Sequence, residues 1–280
     1  PSYLVTLLSH TFHRAAVATV FIALCAGSNW ANAQNSSKKK ASKASTAQPA
    51  KKKPAREHRS GEAYASREEA MRFADDVAER RNLDKEWVRQ AIGQARFIPA
   101  VQRLMRPMQP SASGVVWKNW RVYRSRFIDD ARIAAGVKFW QSHAATLARA
   151  EKEYGVPQEI IVGIIGVETY YGRHMGNYRV IDALTTLGLN FPAEHPRAAE
   201  RQKFFQDELG HLLVQMRKSP KMTFAGSYAG AMGLPQFMPS SVAQWAIDFD
   251  GNGRIDLVRS PVDAIGSVAN YLKSFGWVSG

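Results

Sequence analysis

Apolar positions along this chain recur mostly three and four residues apart, the period of helices, and seldom in the strict alternation of a half-buried strand. The spacing predicts a helix over 66–81, opened by the capping-box pair Ser66 and Glu69. A second, over 84–96, carries Trp87, Val88, Ala91 and Ile92 on one side. The pattern over 97–122 is mixed and broken by Pro99, Pro107 and Pro110, with 117–122 readable as extended. One long helix is expected over 129–154, stopped by Gly155 and Pro157. Further helices are expected over 157–172, 198–218, 240–246 and 261–275, with a loop-rich stretch over 174–196 and a Gly/Pro-rich loop over 226–239. No strand set is large enough for a sheet-based fold. The class is mainly α (α+β with minor β).

The segment 159–172 breaks its own pattern at one place. After its opening Glu159, Glu168 is its only carboxylate, on the same helical stripe as Ile160, Ile161, Ile164 and Ile165. Pro157 suits the first turn and Gly172 the end, which puts Glu168 in the last turn. Burial among aliphatics disfavours the anion, and so does the negative end of the helix dipole. Both raise the pKa toward the range a proton donor needs at neutral pH. The competing reading is a helix-end glutamate satisfied by Arg173.

In the loop over 226–239, closely spaced glycines let backbone approach a ligand or another helix. Ser227 and Gln236 bring hydroxyl and amide groups of the kind sugars are recognised by, and Tyr228, Phe237 and Met238 bring apolar surface. A tight interhelical turn explains the loop equally well when it is taken alone. Beside the Glu168 segment it reads as the other wall of a cleft.

Downstream, Asp248, Asp250 and Asn252 have the alternating oxygen spacing of an EF-hand loop, with Gly253 at the sharp turn. Arg259 stands where the bidentate Glu is expected, so Asp263 would close a lengthened loop. Calcium is the cation this implies, in a structural role. The alternative is an Asp/Asn/Gly turn held by its own side-chain hydrogen bonds.

Composition changes the picture mainly at the N-terminus. His13 and Arg14 precede an apolar stretch over 15–27, and Ala31-Asn-Ala33 supplies a small-x-small cleavage site. Residues 1–33 are therefore expected to be a signal peptide, and the protein to be exported and periplasmic. Membrane association is left open. The only cysteine, Cys25, falls within that segment, and Leu24 before it suits lipid attachment poorly. A chain cleaved after Ala33 has no thiol, which excludes disulfides, cysteine zinc sites and thiol nucleophiles. Of the net charge of +14, residues 35–60 carry +8 and residues 61–280 only +5. The stretch 34–60 reads as a disordered basic linker, a tether that can meet an anionic wall or membrane surface. The remainder gives no support to nucleic-acid binding. There is no H-E-x-x-H, P-loop, G-x-G-x-x-G or G-x-S-x-G, and nothing calls for an organic cofactor.

Several runs together resemble one family, the lytic murein transglycosylase B family. They are Gly163-Ile-Ile-Gly-Val-Glu168-Thr169 with Tyr171-Gly-Arg173, Asp182-Ala-Leu-Thr-Thr-Leu187, Gly230-Ala-Met-Gly233, Gln236-Phe-Met-Pro-Ser-Ser241 and the run over 261–271. The likeness starts near Arg67. It implies a lysozyme-like helical core over 126–280 with an additional N-terminal helical region over 61–125. It also implies cleavage of the MurNAc–GlcNAc bond of peptidoglycan glycan strands without water, leaving a 1,6-anhydro-muramyl end. By position, Glu168 then matches the acid/base, and Ser227, Gln236, Tyr171 and Arg201 match substrate-binding residues. Asp248, Asp250, Asn252, Arg254 (through its carbonyl) and Asp263 match a calcium loop. The family continues past 271–277, so the core is expected to be C-terminally truncated. The rivals are a hydrolytic muramidase using the same Glu168 and a non-catalytic peptidoglycan-binding scaffold.

Overall fold

The computed structural model describes residues 61–107, 119–125, 127–220 and 224–279. The expected signal peptide, the basic linker, Pro110 and Trp117 lie outside them. The first helix, α1 (Glu68–Arg81), follows a three-residue 3-10 turn, Tyr64–Ser66. The expected capping box is not formed: the cap position is Arg67, and no side chain bonds there. Tyr64 is the reason. Its ring is fully buried and its hydroxyl donates to Asn190 Oδ1 at 2.6 Å. The Arg67 N–H bonds back to the Tyr64 carbonyl, so Ser66 is spent in the turn before the helix starts.

In α2 (Lys85–Gly93) the Asp84 side chain accepts from the Trp87 N–H, an ordinary N-cap, and Val88 and Ile92 are buried. A short α3 (Pro99–Leu104) begins on its proline. Residues 120–122, read as extended, instead lie in α4 (Trp120–Arg124), because the Asn119 carbonyl oxygen Oδ1 takes the N–H groups of Arg121 and Val122.

The long helix expected over 129–154 is two helices, α5 (Asp130–Ser142) and α6 (Ala144–Tyr154). His143 breaks it at φ −123°, ψ 22°, with its ring 4.6 Å from that of Phe139. The break lets Phe139 and Leu147 enter the same core from two directions. Neither proline nor glycine marks it, so periodicity alone runs through it.

Gly155, at φ 71°, ends α6, and α7 (Gln158–Thr169) follows. A second correction concerns 174–196. After the two-residue β1 (Tyr178–Arg179) comes α8 (Val180–Leu189), buried along almost its whole length. A helix enclosed on all sides has no polar face, so it lacks the stripe that reveals an amphipathic one. Asp182, Thr185 and Thr186, although polar, point inward. Asp182 accepts the Arg96 N–H and Thr186 Oγ1 accepts the Ile98 N–H, both at 3.0 Å, so α8 holds the N-terminal helices.

Against α8 packs α9 (Ala198–Lys218); of the inward positions its pattern predicts, Phe205, Leu209, Leu212 and Leu213 are buried, while Phe204 and Met216 are only partly so. The strand β2 (Ala225–Gly226) pairs antiparallel with β1, Tyr178 opposite Gly226 and Arg179 opposite Ala225. In α10 (Pro239–Trp245), Ser240 gives its N–H and hydroxyl to the buried Glu208 carboxyl of α9, at 2.8 and 2.6 Å. The last helix is α11 (Pro261–Ser274).

The core around α7 joins Ile161, Val162 and Ile165 to Phe139, Leu147, Leu234, Phe249, Ile265 and Val268. Fully buried Ile161 and Ile165 each contribute about 1.5–3 kcal/mol by leaving water. Among the described residues, no helix is long and apolar enough to cross a membrane.

Candidate active site

α7 delivers Glu168 in its last turn, half-buried, one residue before the helix ends. The chain then reverses through three left-handed residues, Tyr170 (φ 52°), Tyr171 (φ 56°) and Gly172 (φ 85°). Two of these are not glycine, so the turn is strained and the surrounding packing must hold it. Thr169 and Tyr171 supply that hold. The Thr169 hydroxyl lies 2.9 Å from the Leu234 carbonyl and accepts from the Gly172 N–H at 3.1 Å. The Tyr171 ring wedges between α5 and α7, its hydroxyl where a Cβ on Gly136 or Gly166 would sit. Burial raises the Tyr171 pKa.

Burial also pushes the Glu168 carboxyl from 4.5 up to about 7. No other group contributes. Among the described residues, the carboxyl has neither hydrogen bond nor ion pair, and Arg173 lies over the Tyr170 ring, 4.5 Å from its centroid. The reading of Glu168 as a helix-end carboxylate paired with Arg173 is thereby excluded.

The loop over 226–239 lies against this helix end. Besides the Thr169–Leu234 bond, the Gln236 amide donates to the Met175 carbonyl at 3.2 Å and to the Gly233 carbonyl at 3.0 Å. A Cβ on Gly176 would collide with the Gly226 carbonyl, so glycine is required where β1 and β2 approach. Ser227 Oγ accepts from the Ala231 N–H at 3.0 Å, and its own proton is uncommitted among the described residues. Gln236 is thus bonded to the turn that follows Glu168, with Ser227 on the same loop, while the Tyr171 ring packs between α5 and α7. Arg201 lies in the first turn of α9, where burial first, then Arg201 and Arg197, lower the pKa of His195.

Sequence reasoning missed two positioning residues. Thr169 was visible only as the residue after Glu168. Arg132 of α5, almost buried, reaches the Gly166 carbonyl at 3.3 Å and lies over the Tyr170 ring at 4.8 Å. A cation at a helix C-terminus is favourable there. Nothing in the local pattern around Arg132 marks it as inward-facing.

The acidic loop is organised from α11. Asp263, fully buried, accepts from the N–H groups of Phe249, Asp250 and Asp256 and so clasps both ends of the loop. One oxygen each of Asp248, Asp250 and Asp263 lies within 4.8 Å of the others. Burial works against ionisation of Asp248, but the N–H groups of Gly253, Asn252 and Gly251 outweigh it and hold its pKa below the usual range. Asn252 Oδ1 takes the Arg254 N–H, a turn held by side-chain bonds as the alternative reading expects. Each carboxylate keeps further lone pairs, so the hard-oxygen donor set fits a divalent cation such as calcium. The loop also carries Phe249 into the core beside α7.

The description "Transglycosylase SLT domain" fits residues 65–280. The chain belongs to this family. It is 43% identical over 223 residues to the membrane-bound lytic murein transglycosylase B of Escherichia coli, covering 78% of this chain and 60% of that protein. The chain therefore spans about three-fifths of that relative's length. The catenated lytic transglycosylase SltB1 of Pseudomonas aeruginosa superimposes with a TM-score of 0.69 at 46% identity, covering 78% of this chain and 68% of the other. The E. coli lytic transglycosylase Slt35 gives 0.68 at 42%, covering 80% and 68%, and has been solved with bulgecin A and with calcium. The mainly helical, lysozyme-like fold expected from the sequence is that of these relatives.

Proposed function

We propose that the chain is a lytic transglycosylase that cleaves the β-1,4 bond between MurNAc and GlcNAc in peptidoglycan, with Glu168 as acid and then base. The carrying observation is the Glu168 carboxyl at about 7, shifted by burial with no neighbouring charge. Two-carboxylate glycosidases place their pair about 5–9.5 Å apart, and the closer, retaining pairs lie within the range at which one charge perturbs the other. Here burial alone accounts for the Glu168 shift, which supports one group serving both steps.

Glu168 protonates the glycosidic oxygen as the C1–O bond breaks, and the substrate's own N-acetyl group stabilises the cation at C1. The carboxylate then takes the proton of the C6 hydroxyl, and that oxygen bonds to C1. The anhydro ring closes, Glu168 is protonated again and no water is consumed. Ser227, Gln236 and Tyr171 border the sugar in this reading, and Arg201 contacts a more distant part of the strand.

When bound, calcium would supply rigidity and charge neutralisation to the loop that seats Phe249, held by Asp248, Asp250, Asn252, the Arg254 carbonyl and Asp263. The relative solved with calcium supports that assignment. The signal-like residues 1–33 support export to the periplasm, and the name of the curated relative supports a site at the membrane.

Mass analysis of the muropeptides released from purified sacculi tests the reading. Ends one water lighter than reducing ends are expected. Reducing ends would make the protein a hydrolytic muramidase, and no release at all would favour a wall-binding scaffold.

A further inference from the structure

Away from Glu168, the N-terminal helices and β1 enclose an open depression of about 560 Å³, lined by none of the candidate site residues. Three arginines from separate segments face it: Arg89 of α2, Arg96 just beyond α2, and Arg179 of β1. The amides of Gln90 and Gln94 complete the rim, over a floor of small residues that includes Gly93. No aromatic ring lines it, so it lacks the flat surface a sugar face stacks on.

The charges around it are unequally matched. Arg89 is held by Asp75 through two bonds, at 2.6 and 2.8 Å. Arg179 makes a single 3.3 Å bond to the buried Asp182 while its side chain stays 55% exposed. The Arg96 guanidinium has no hydrogen bond or ion pair among the described residues; only its backbone N–H reaches Asp182. Asp182 thus stands against two arginines, and positive charge is left facing the space.

We propose that this depression is a binding site for a carboxylate-bearing peptide, with Arg96 and Arg179 taking its carboxylates and Gln90 and Gln94 its backbone amides. Guanidinium pairs with carboxylate through two parallel hydrogen bonds, and side-chain amides match both donor and acceptor of a peptide unit. The volume exceeds what one carboxylate or phosphate group fills. Successive residues of a strand face opposite ways, so Arg179 points to the other side from Tyr178, whose partner Gly226 leads into the cleft loop. The strand is shared by depression and loop. Naming the peptide branches of peptidoglycan as the physiological ligand rests on the proposed function; the binding itself does not.

Titration of the full chain with an acetylated tripeptide carrying two free carboxyl groups tests the site, alongside its fully amidated counterpart and inorganic phosphate. The acidic peptide is expected to bind, with affinity falling at least tenfold in Arg96→Gln, Arg179→Gln and Arg96→Glu. Arg96→Gln keeps the test sound if loss of the Arg179–Asp182 bond unsettles α8, because the Arg96 guanidinium makes no hydrogen bond or ion pair among the described residues. The amidated peptide should not bind. Equal binding of phosphate, equal binding of the amidated peptide, binding unchanged in the variants, or no binding would each overturn the site. Glu168→Gln should bind the peptide like wild type. A wild type that binds peptide but digests no sacculi would refute the proposed function and leave this site standing.

Discussion

The Thr169 hydroxyl lies 2.9 Å from the Leu234 carbonyl, so the residue directly after Glu168 is tied to the loop facing it. The hydroxyl has one proton and two candidate acceptors, Leu234 O and, at 3.2 Å, Ile165 O within its own helix. The shorter contact is the one between segments, which makes Thr169 a fastener of the cleft rather than a residue that merely completes α7.

Replacing Thr169 by Val keeps the shape and removes the fastener. The Leu234 carbonyl and Gly172 N–H both lose a partner, a loss of about 1–3 kcal/mol. The expected outcome is a lower melting temperature together with a drop in kcat on sacculi. An unchanged melt would show that the contact carries no weight.

Gly166→Ala puts a methyl group where the Tyr171 hydroxyl lies. Displacing a packed ring costs about 1–3 kcal/mol. Adding Tyr171→Phe removes the nearest clashing atom, so the double variant should recover part of the lost melting temperature. Simple additivity of the two losses would contradict the wedge.

The Glu168 shift has a signed consequence for stability. Its folded pKa, about 7, lies above the unfolded value near 4.5, so between those pH values the folded state holds more protons. Stability therefore falls as pH rises from 4.5 to 7 and is level beyond, by up to about 3 kcal/mol at 1.36 kcal/mol per pKa unit. Glu168→Gln should remove this decline, leaving the variant more stable than wild type at pH 8. Parallel pH–stability curves for the two proteins would contradict a buried, unpaired acid.

Calcium should raise the melting temperature and chelator lower it. At a hundredfold excess over Kd the gain is about 2.7 kcal/mol. Asp250→Ala, at an exposed position, should fold and lose the calcium response. Asp263→Asn is a poorer probe because Asp263 also holds three backbone N–H groups. A calcium response retained in Asp250→Ala would move the ion elsewhere.

What the sequence disclosed follows from where its patterns are local. The stripe of isoleucines and its one acid lie within fourteen residues, and the acidic loop within sixteen, so both could be read directly. α8 was hidden because burial on every side erases the polar face that marks a helix, and the Arg96 and Ile98 N–H groups that Asp182 and Thr186 accept from lie over eighty residues away. The break at His143 has no proline or glycine to announce it, and Tyr64 overrode a sound capping signal through a contact to Asn190. Arg132 and Thr169 were missed for the same reason: their roles depend on partners brought close only by folding.

The most direct test is to follow the Glu168 side-chain carboxyl itself by carbon NMR across pH 3 to 9 in the intact protein. A midpoint near 7 is the result this account requires. A midpoint near 4.5, the value of an exposed glutamate, would contradict it.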